Sequence, residues 1–262
     1  MKTRLTIIAL GALAMLAGCG RSEVAPDVTT FNLSVRAESD ATRATVNGSG
    51  NFAWTSGDQI AVHLSTGYQN VTITPDNSSP RFGTTQLTVN STVTRDGYAI
   101  FPASVAAGTA SAPTVTLPAS YGITSETATG TPLPMVAVND PDSDFLHFHH
   151  VGGLVRIEGL TLPAGTTSVT VTFNKGVTGS FVVSAPATAE PTITAATASA
   201  TNNSVTFNIS DTTMPIVLNV PVPCGEYAWV KVYLGDATDP FDSFDGFTLG
   251  RAQGVKLSAS QP

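Results

Sequence analysis

Charge is scarce in this chain. Only 12% of its 262 residues are Asp, Glu, Lys or Arg, about half the usual share for a soluble domain. Helices need charged outer faces and strong helix formers, so a largely helical protein is excluded. Cations are the scarcer sign, with 12 Lys and Arg against 19 Asp and Glu. An acidic chain of this kind is a poor binder of nucleic acid or anionic lipid. Cysteine is limited to Cys19 and Cys224, which excludes a disulfide scaffold. Catalytic signatures are missing too. The chain contains no Gly-x-Ser-x-Gly, Ser-x-x-Lys or His-Glu-x-x-His motif, and no phosphate loop or dinucleotide fingerprint. Without them, enzymatic activity and a cofactor are not expected.

What is present starts with an export signal. Met1 to Gly20 reads MKTRLTIIALGALAMLAGCG. Lys2 and Arg4 precede an apolar run from Leu5 to Leu16, too short and too rich in Gly and Ala for a good membrane span. Leu16-Ala17-Gly18-Cys19 forms a lipobox. Cleavage between Gly18 and Cys19 and acylation of the Cys19 thiol are therefore expected, with residues 1–18 as the signal peptide. Two or more acyl chains anchor a protein stably. The mature protein is expected outside the cytoplasm, tethered to a membrane through residues 19–30. Loss of Lys2 and Arg4 with no acid takes its net charge from −7 to −9.

The remainder is rich in Thr, Val, Ser and Ala, with 23 Gly and 17 Pro, a mixture that suits short strands and turns. Phe31-Asn-Leu33-Ser-Val35 alternates apolar and polar residues, as a half-buried strand does. Residues 38–50 read as a loop. Gln59 to Leu64, Val71 to Thr74, Thr85 to Val89, Tyr98 to Pro102 and Pro132 to Val138 read as further strands. Asn139-Asp-Pro-Asp-Ser-Asp144 is the clearest hydrophilic break and marks the expected boundary between domains at 31–140 and 141–262. Beyond it, Phe145 to Leu162, Ser168 to Phe173, Val205 to Ile209, Ile216 to Val222, Tyr227 to Leu234 and Val255 to Leu257 continue the pattern, and Thr192 to Asn203 reads as a low-complexity loop. Turn signals recur every 8–15 residues, which predicts an all-β chain of antiparallel sandwiches.

Three clusters have the composition of a site. His147 and His149 would share one strand face and offer two imidazoles to zinc, with Asp142 and Asp144 as remote helpers. Two ligands fall short of a zinc site, so ordinary strand histidines are the favoured reading and no metal is expected. Asp236, Asp239, Asp242 and Asp245 form an oxygen-rich stretch, but it lacks the spacing and closing Glu of an EF-hand. It reads as a solvated loop. Cys224, with nothing nearby in sequence to activate it, reads as a structural thiol.

Several segments in order resemble the fimbrillin family, lipoprotein subunits of type V pili, and the wider fimbrillin-like lipoproteins. They are the lipobox at Cys19, Thr42-Arg43-Ala44-Thr45, Phe52-Ala-Trp54-Thr-Ser-Gly57-Asp58-Gln-Ile60-Ala-Val62, and Gly97-Tyr98-Ala-Ile-Phe-Pro102. Leu133-Pro-Met135-Val-Ala137, Phe148-His-His150-Val-Gly-Gly-Leu154-Val-Arg-Ile157 and Val220-Pro-Val-Pro223 with Gly225-Glu-Tyr227 complete the set. The resemblance implies two tandem transthyretin-like sandwiches, an outer-membrane lipoprotein on the cell surface, and a role in adhesion. It also implies removal of the first strand by an Arg-specific protease, which opens a groove, donor-strand exchange with other pilus subunits, release of the subunit into the fimbrium after proteolysis, and a host or bacterial surface receptor or glycan as partner. Carried onto this sequence, residues 24–43 would be the removable piece. Phe31, Leu33 and Val35 would fill the groove, and Arg43, with Arg36 as runner-up, would be the cleavage site.

Two considerations pull the other way. Gly246 to Leu257 reads as needed to complete the second domain, which favours a tip, an anchor or an independent adhesin over a stalk subunit. The competing class is a surface glycan-binding lipoprotein of a nutrient-uptake system, which would present exposed aromatics as sugar platforms. Trp54 and Trp229 sit in apolar strand contexts, which favours core packing instead.

Overall fold

A computed structural model describes residues 27–38, 53–123, 133–184, 192–195, 202–210 and 216–260. Cys19, Gly18 and Arg43 lie outside these residues. The described chain is all-β, with one 3-10 turn at Ala103–Val105.

The first sheet has eight strands. In spatial order they are β3 (Gly67–Thr72), β2 (Gln59–Leu64), β6 (Arg95–Phe101), β10 (Met135–Val138), β11 (Phe145–His150), β1 (Val28–Ala37), β5 (Phe82–Asn90) and β4 (Thr74–Pro75). β3 and β4 are separated only by Ile73, yet they lie at opposite ends of the order. The sheet therefore curls back on itself, and its inner face closes on a core of Leu33, Val35, Trp54, Ile60, Val62, Leu87, Phe101, Met135 and Phe148.

Gly83 marks where the curl is tightest. A Cβ there would lie 2.7 Å from Ile73 Cγ2 and 3.3 Å from Val35 Cγ2. Only glycine lets β4, β5 and β1 meet so closely.

Three more sheets follow. One orders β19 (Asp242–Leu249), β18 (Gly225–Leu234), β13 (Ser168–Phe173), β16 (Ser204–Ile209) and β9 (Ser120–Ile123). A second orders β17 (Ile216–Val222), β12 (Gly153–Leu160) and β20 (Gly254–Ser258). Val155, Ile157, Val171, Phe173, Phe207, Leu218, Val230 and Tyr227 form the core between these two. The third orders β15 (Thr192–Ala195), β14 (Gly179–Ser184), β8 (Pro113–Leu117) and β7 (Ala106–Gly108). Val115, Leu117, Phe181 and Val183 on β8 and β14 meet Ile100 and Val136 on the outer face of the first sheet. β6 and β10 are thus buried on both faces, which explains why residues 132–138 are nearly all apolar.

The pairing does not divide at residue 140. β11 belongs to the first sheet, between β10 and β1. β8 pairs with β14, and β9 runs parallel to β16. Beyond the buried Asn139, the polar stretch at 140–144 is a largely exposed turn at the end of the first sheet, closed by the Ser143 amide donating to the Asp140 carbonyl at 3.2 Å. Polar composition marks a solvated turn as readily as it marks a linker. Thr192–Ala195 is likewise a strand paired with β14 rather than loop, and Asp242 and Asp245 of the acidic stretch lie in β19.

Candidate functional site

β1 is a ten-residue strand placed between two others. Nine residue pairs, from Val28 with Asn90 to Arg36 with Phe82, join it antiparallel to β5. Four more, Ser34 to Ala37 with Phe145 to Phe148, join it parallel to β11. Its alternation sends Leu33, Val35 and Ala37 into the core at 1%, 0% and 0% exposure. Phe31 packs half-buried at the rim. Burying two aliphatic side chains contributes about 1.5–3 kcal/mol each. Arg36 lies within the paired strand, opposite Phe82 on one side and His147 on the other, its guanidinium over the Phe82 ring.

A polar cluster fixes each end of β1. At the C-terminal end, the Glu38 amide donates to the Phe148 carbonyl at 2.8 Å. Glu38 Oε1 accepts from the His150 amide at 2.6 Å and from Arg251 Nη1 at 2.6 Å. Oε2 accepts from Arg251 Nη1 at 2.7 Å and lies 3.2 Å from His149 Nδ1. Burial alone pushes the Glu38 pKa up. The bonds from His149, Arg251 and the His150 amide outweigh it and bring the pKa to about 2. Glu38 stays ionised because its charge is met by donors in a low-dielectric site. Arg251 sits between β19 and β20, beside Ala252 at φ 55°, a left-handed conformation that costs a β-carbon residue energy. One carboxylate thus ties β1, β11 and the β19–β20 turn together.

At the other end stands Arg95, with a side chain only 1% exposed. Nη1 donates to Asn139 Oδ1 at 3.3 Å, and Nη2 donates to the carbonyls of Pro141 at 3.2 Å and Ser143 at 2.7 Å. Asp144 Oδ1 lies 3.6 Å away. The guanidinium lies 4.9 Å from the Phe31 ring centroid. Burial lowers the Arg95 pKa, against the pull of Asp144 and Asp140. Arg95 organises the 139–144 turn, whose Asp144 carbonyl accepts from the Ser34 amide of β1 at 2.8 Å. Sequence reasoning passed over both Glu38 and Arg95. Their partners lie more than 40 residues away, so no local spacing announces them.

The other candidates gather no comparable site. His147 and His149 do share a face, with ring centroids 4.2 Å apart. Burial, then His149, Arg36 and Arg81, lower the His147 pKa. Among the described residues no three His, Cys, Asp or Glu converge as a metal site would require. Asp236, Asp239 and Asp245 point to solvent, while Asp242 Oδ2 accepts from the Ser260 amide at 2.7 Å. Cys224 is half-buried, and burial raises its pKa. Trp54 is a core residue, 3% exposed, with Phe101 and Phe148 edge-on at 5.0 and 5.6 Å. Trp229 departs from the core-packing expectation: it is half-buried on β18 and roofed by Lys231, whose Nζ lies 5.0 Å from its ring.

No protein-family model matches the chain, and no curated protein matches it by sequence. Solved structures do. A candidate cell adhesion protein from Bacteroides ovatus superimposes with a TM-score of 0.50 at 12% identity, over 88% of this chain and 92% of that one. Candidate cell adhesion proteins from Bacteroides thetaiotaomicron and Bacteroides fragilis align at TM-scores of 0.37 and 0.34, with 11% and 7% identity. They cover 88% and 86% of this chain and 92% of each of theirs. At such identities the likeness is one of fold, and it rests on the first of the three.

Proposed function

We propose that the chain is a fimbrillin-like surface lipoprotein that works in adhesion as a subunit of a pilus, anchored at first through Cys19. β1 is the removable strand. Cutting at Arg43 frees residues 19–43 with the lipid, and a strand from a neighbouring subunit takes its place by donor-strand exchange. The observation that supports this is the position of β1 in the sheet. An N-terminal segment fills an apolar slot between β5 and β11, so its loss bares two strand edges and the core under Leu33, Val35 and Ala37. An open edge over an apolar groove is the physical requirement for strand addition. The cell-adhesion likeness of the fold is in keeping with this role, which would place the protein at the outer-membrane surface.

Treatment of the exported chain with an Arg-specific protease, with the other pilus subunits present, tests the reading. A product beginning at Ala44 and a ladder of oligomers on an unboiled gel are expected. A trimmed chain that stays monomeric overturns it for a polymerising subunit. Separately, Cys19→Ala should release the protein from membranes, and retention through a carbonate wash would contradict the lipid anchor.

A further inference from the structure

The slot that holds β1 is not uniformly apolar. Between its polar ends lies the groove that receives Leu33, Val35 and Ala37. At one end Arg95 presents a guanidinium under Phe31, 4.9 Å from the ring centroid. At the other, Arg251 Nη1, the His150 amide and His149 Nδ1 surround the Glu38 carboxylate at 2.6 to 3.2 Å. Two cationic groups therefore stand at fixed points along the slot, seven residues apart in the strand that fills it. A strand that replaces β1 without a carboxylate leaves the His150 amide and Arg251 short of their acceptor, which costs free energy that apolar packing does not return. One without a ring forfeits the cation–π contact over Arg95, whose hydrogen bonds to Asn139, Pro141 and Ser143 remain.

We propose that the slot selects its incoming strand by these two ends: an aromatic over Arg95 and, seven positions later, a carboxylate for Arg251 and the His150 amide. Aliphatic or small side chains occupy the second, fourth and sixth positions after the aromatic. The inference rests on the reading of β1 as a replaceable strand and adds the chemistry of the partner.

That chemistry points away from a second copy of this chain. β20 carries the same alternation in Val255 and Leu257. With those residues set in place of Leu33 and Val35, however, Gln253 falls where Phe31 lies and Ser260 where Glu38 lies. Neither the ring nor the carboxylate is supplied. The partner strand comes from a different protein, one whose donor segment reads aromatic-x-aliphatic-x-aliphatic-x-small-acidic. A carboxylate in this cage also gives direction, since a strand entering backwards would set a ring, which accepts no comparable hydrogen bond, against the His150 amide and Arg251.

The test uses the full chain with a sequence-specific protease site at residues 41–46. After cleavage, β1 is challenged with excess labelled peptides, and retained label is read by native mass spectrometry. A peptide of residues 28–38 should exchange in and stay. The Glu38→Gln peptide should dissociate at least tenfold faster, the Phe31→Leu peptide several-fold faster, and a peptide of residues 251–260 should not be retained. In an Arg251→Lys chain the penalty for Glu38→Gln should shrink, which ties it to that contact. Native and Glu38→Gln peptides retained within twofold of each other would overturn the selection by charge while leaving strand exchange standing. If no peptide exchanges, including the native one, the replaceable-strand reading itself fails.

Discussion

β1 and β20 make an instructive pair. Each runs parallel to one of two consecutive strands that lie in different sheets, β1 on β11 and β20 on β12. There the likeness ends. β1 has β5 on its other side, three fully buried side chains and a polar lock at each end. β20 is the outermost strand of its sheet, and none of its residues is fully buried. Its one charged contact, Lys256 with Glu158, leaves Lys256 62% exposed. A parallel neighbour alone does not decide how firmly a strand is held. Two-sided pairing and satisfied polar ends do. β1 is a strand that the first sheet cannot do without, and whatever removes it must replace it.

Changes that break this contrast should fall in a definite order. Leu33→Ala opens a cavity in a closed core and should cost about 3–4 kcal/mol, whereas Leu257→Ala, at a half-exposed edge, should cost about 1 kcal/mol or less. Urea denaturation of both variants checks the difference, and equal costs would erase it.

Acid is the next lever. The Glu38 pKa is about 2 in the folded chain, below the ordinary 4.5 it regains on unfolding. Its contribution is therefore complete above pH 4.5 and drains away as pH falls towards 2, about 3 kcal/mol in all. Glu38→Gln should flatten that part of the stability–pH curve, and an unchanged slope would contradict the lock.

Gly83→Ala sets a Cβ 2.7 Å from Ile73 Cγ2 and 2.9 Å from the Thr74 carbonyl oxygen. Overpacking of this kind should cost about 2 kcal/mol and loosen β1 in hydrogen exchange before it affects β20. Lys256→Ala should be nearly silent, below about 1 kcal/mol, since exposed ion pairs contribute little.

Some of this was legible in the sequence and some was not. The period-two alternation of Phe31, Leu33 and Val35 points them to one face, and the scarcity of charge and the frequent turns point to an all-β chain. Alternation is local, so one strand suffices to read it. Pairing is not local. Nothing in Thr114 to Leu117 says that it will join Gly179 to Ser184, or in Ser120 to Ile123 that it will run beside Ser204 to Ile209. The hydrophilic run at 139–144 suggested a linker because turns and linkers share a composition. What distinguishes them is Arg95, 44 residues from its partner Asn139. Glu38 sat at the start of a segment read as loop. Its partner Arg251 is 213 residues on, so the contact that fixes β1 emerges only from the folded chain.

The most direct measurement locks β1 in place. Thr30 and Thr88 face each other across β1 and β5 with Oγ1 atoms 3.0 Å apart. A Thr30→Cys, Thr88→Cys, Cys224→Ser chain would bridge the two strands under oxidising conditions. After treatment with the Arg-specific protease in the presence of its partner subunits, this chain should run as a single monomer band while the bridge is intact. It should form an oligomer ladder once reductant is added. A ladder of the same extent with the bridge intact, or none after reduction, would contradict the claim that β1 must leave for a partner strand to enter.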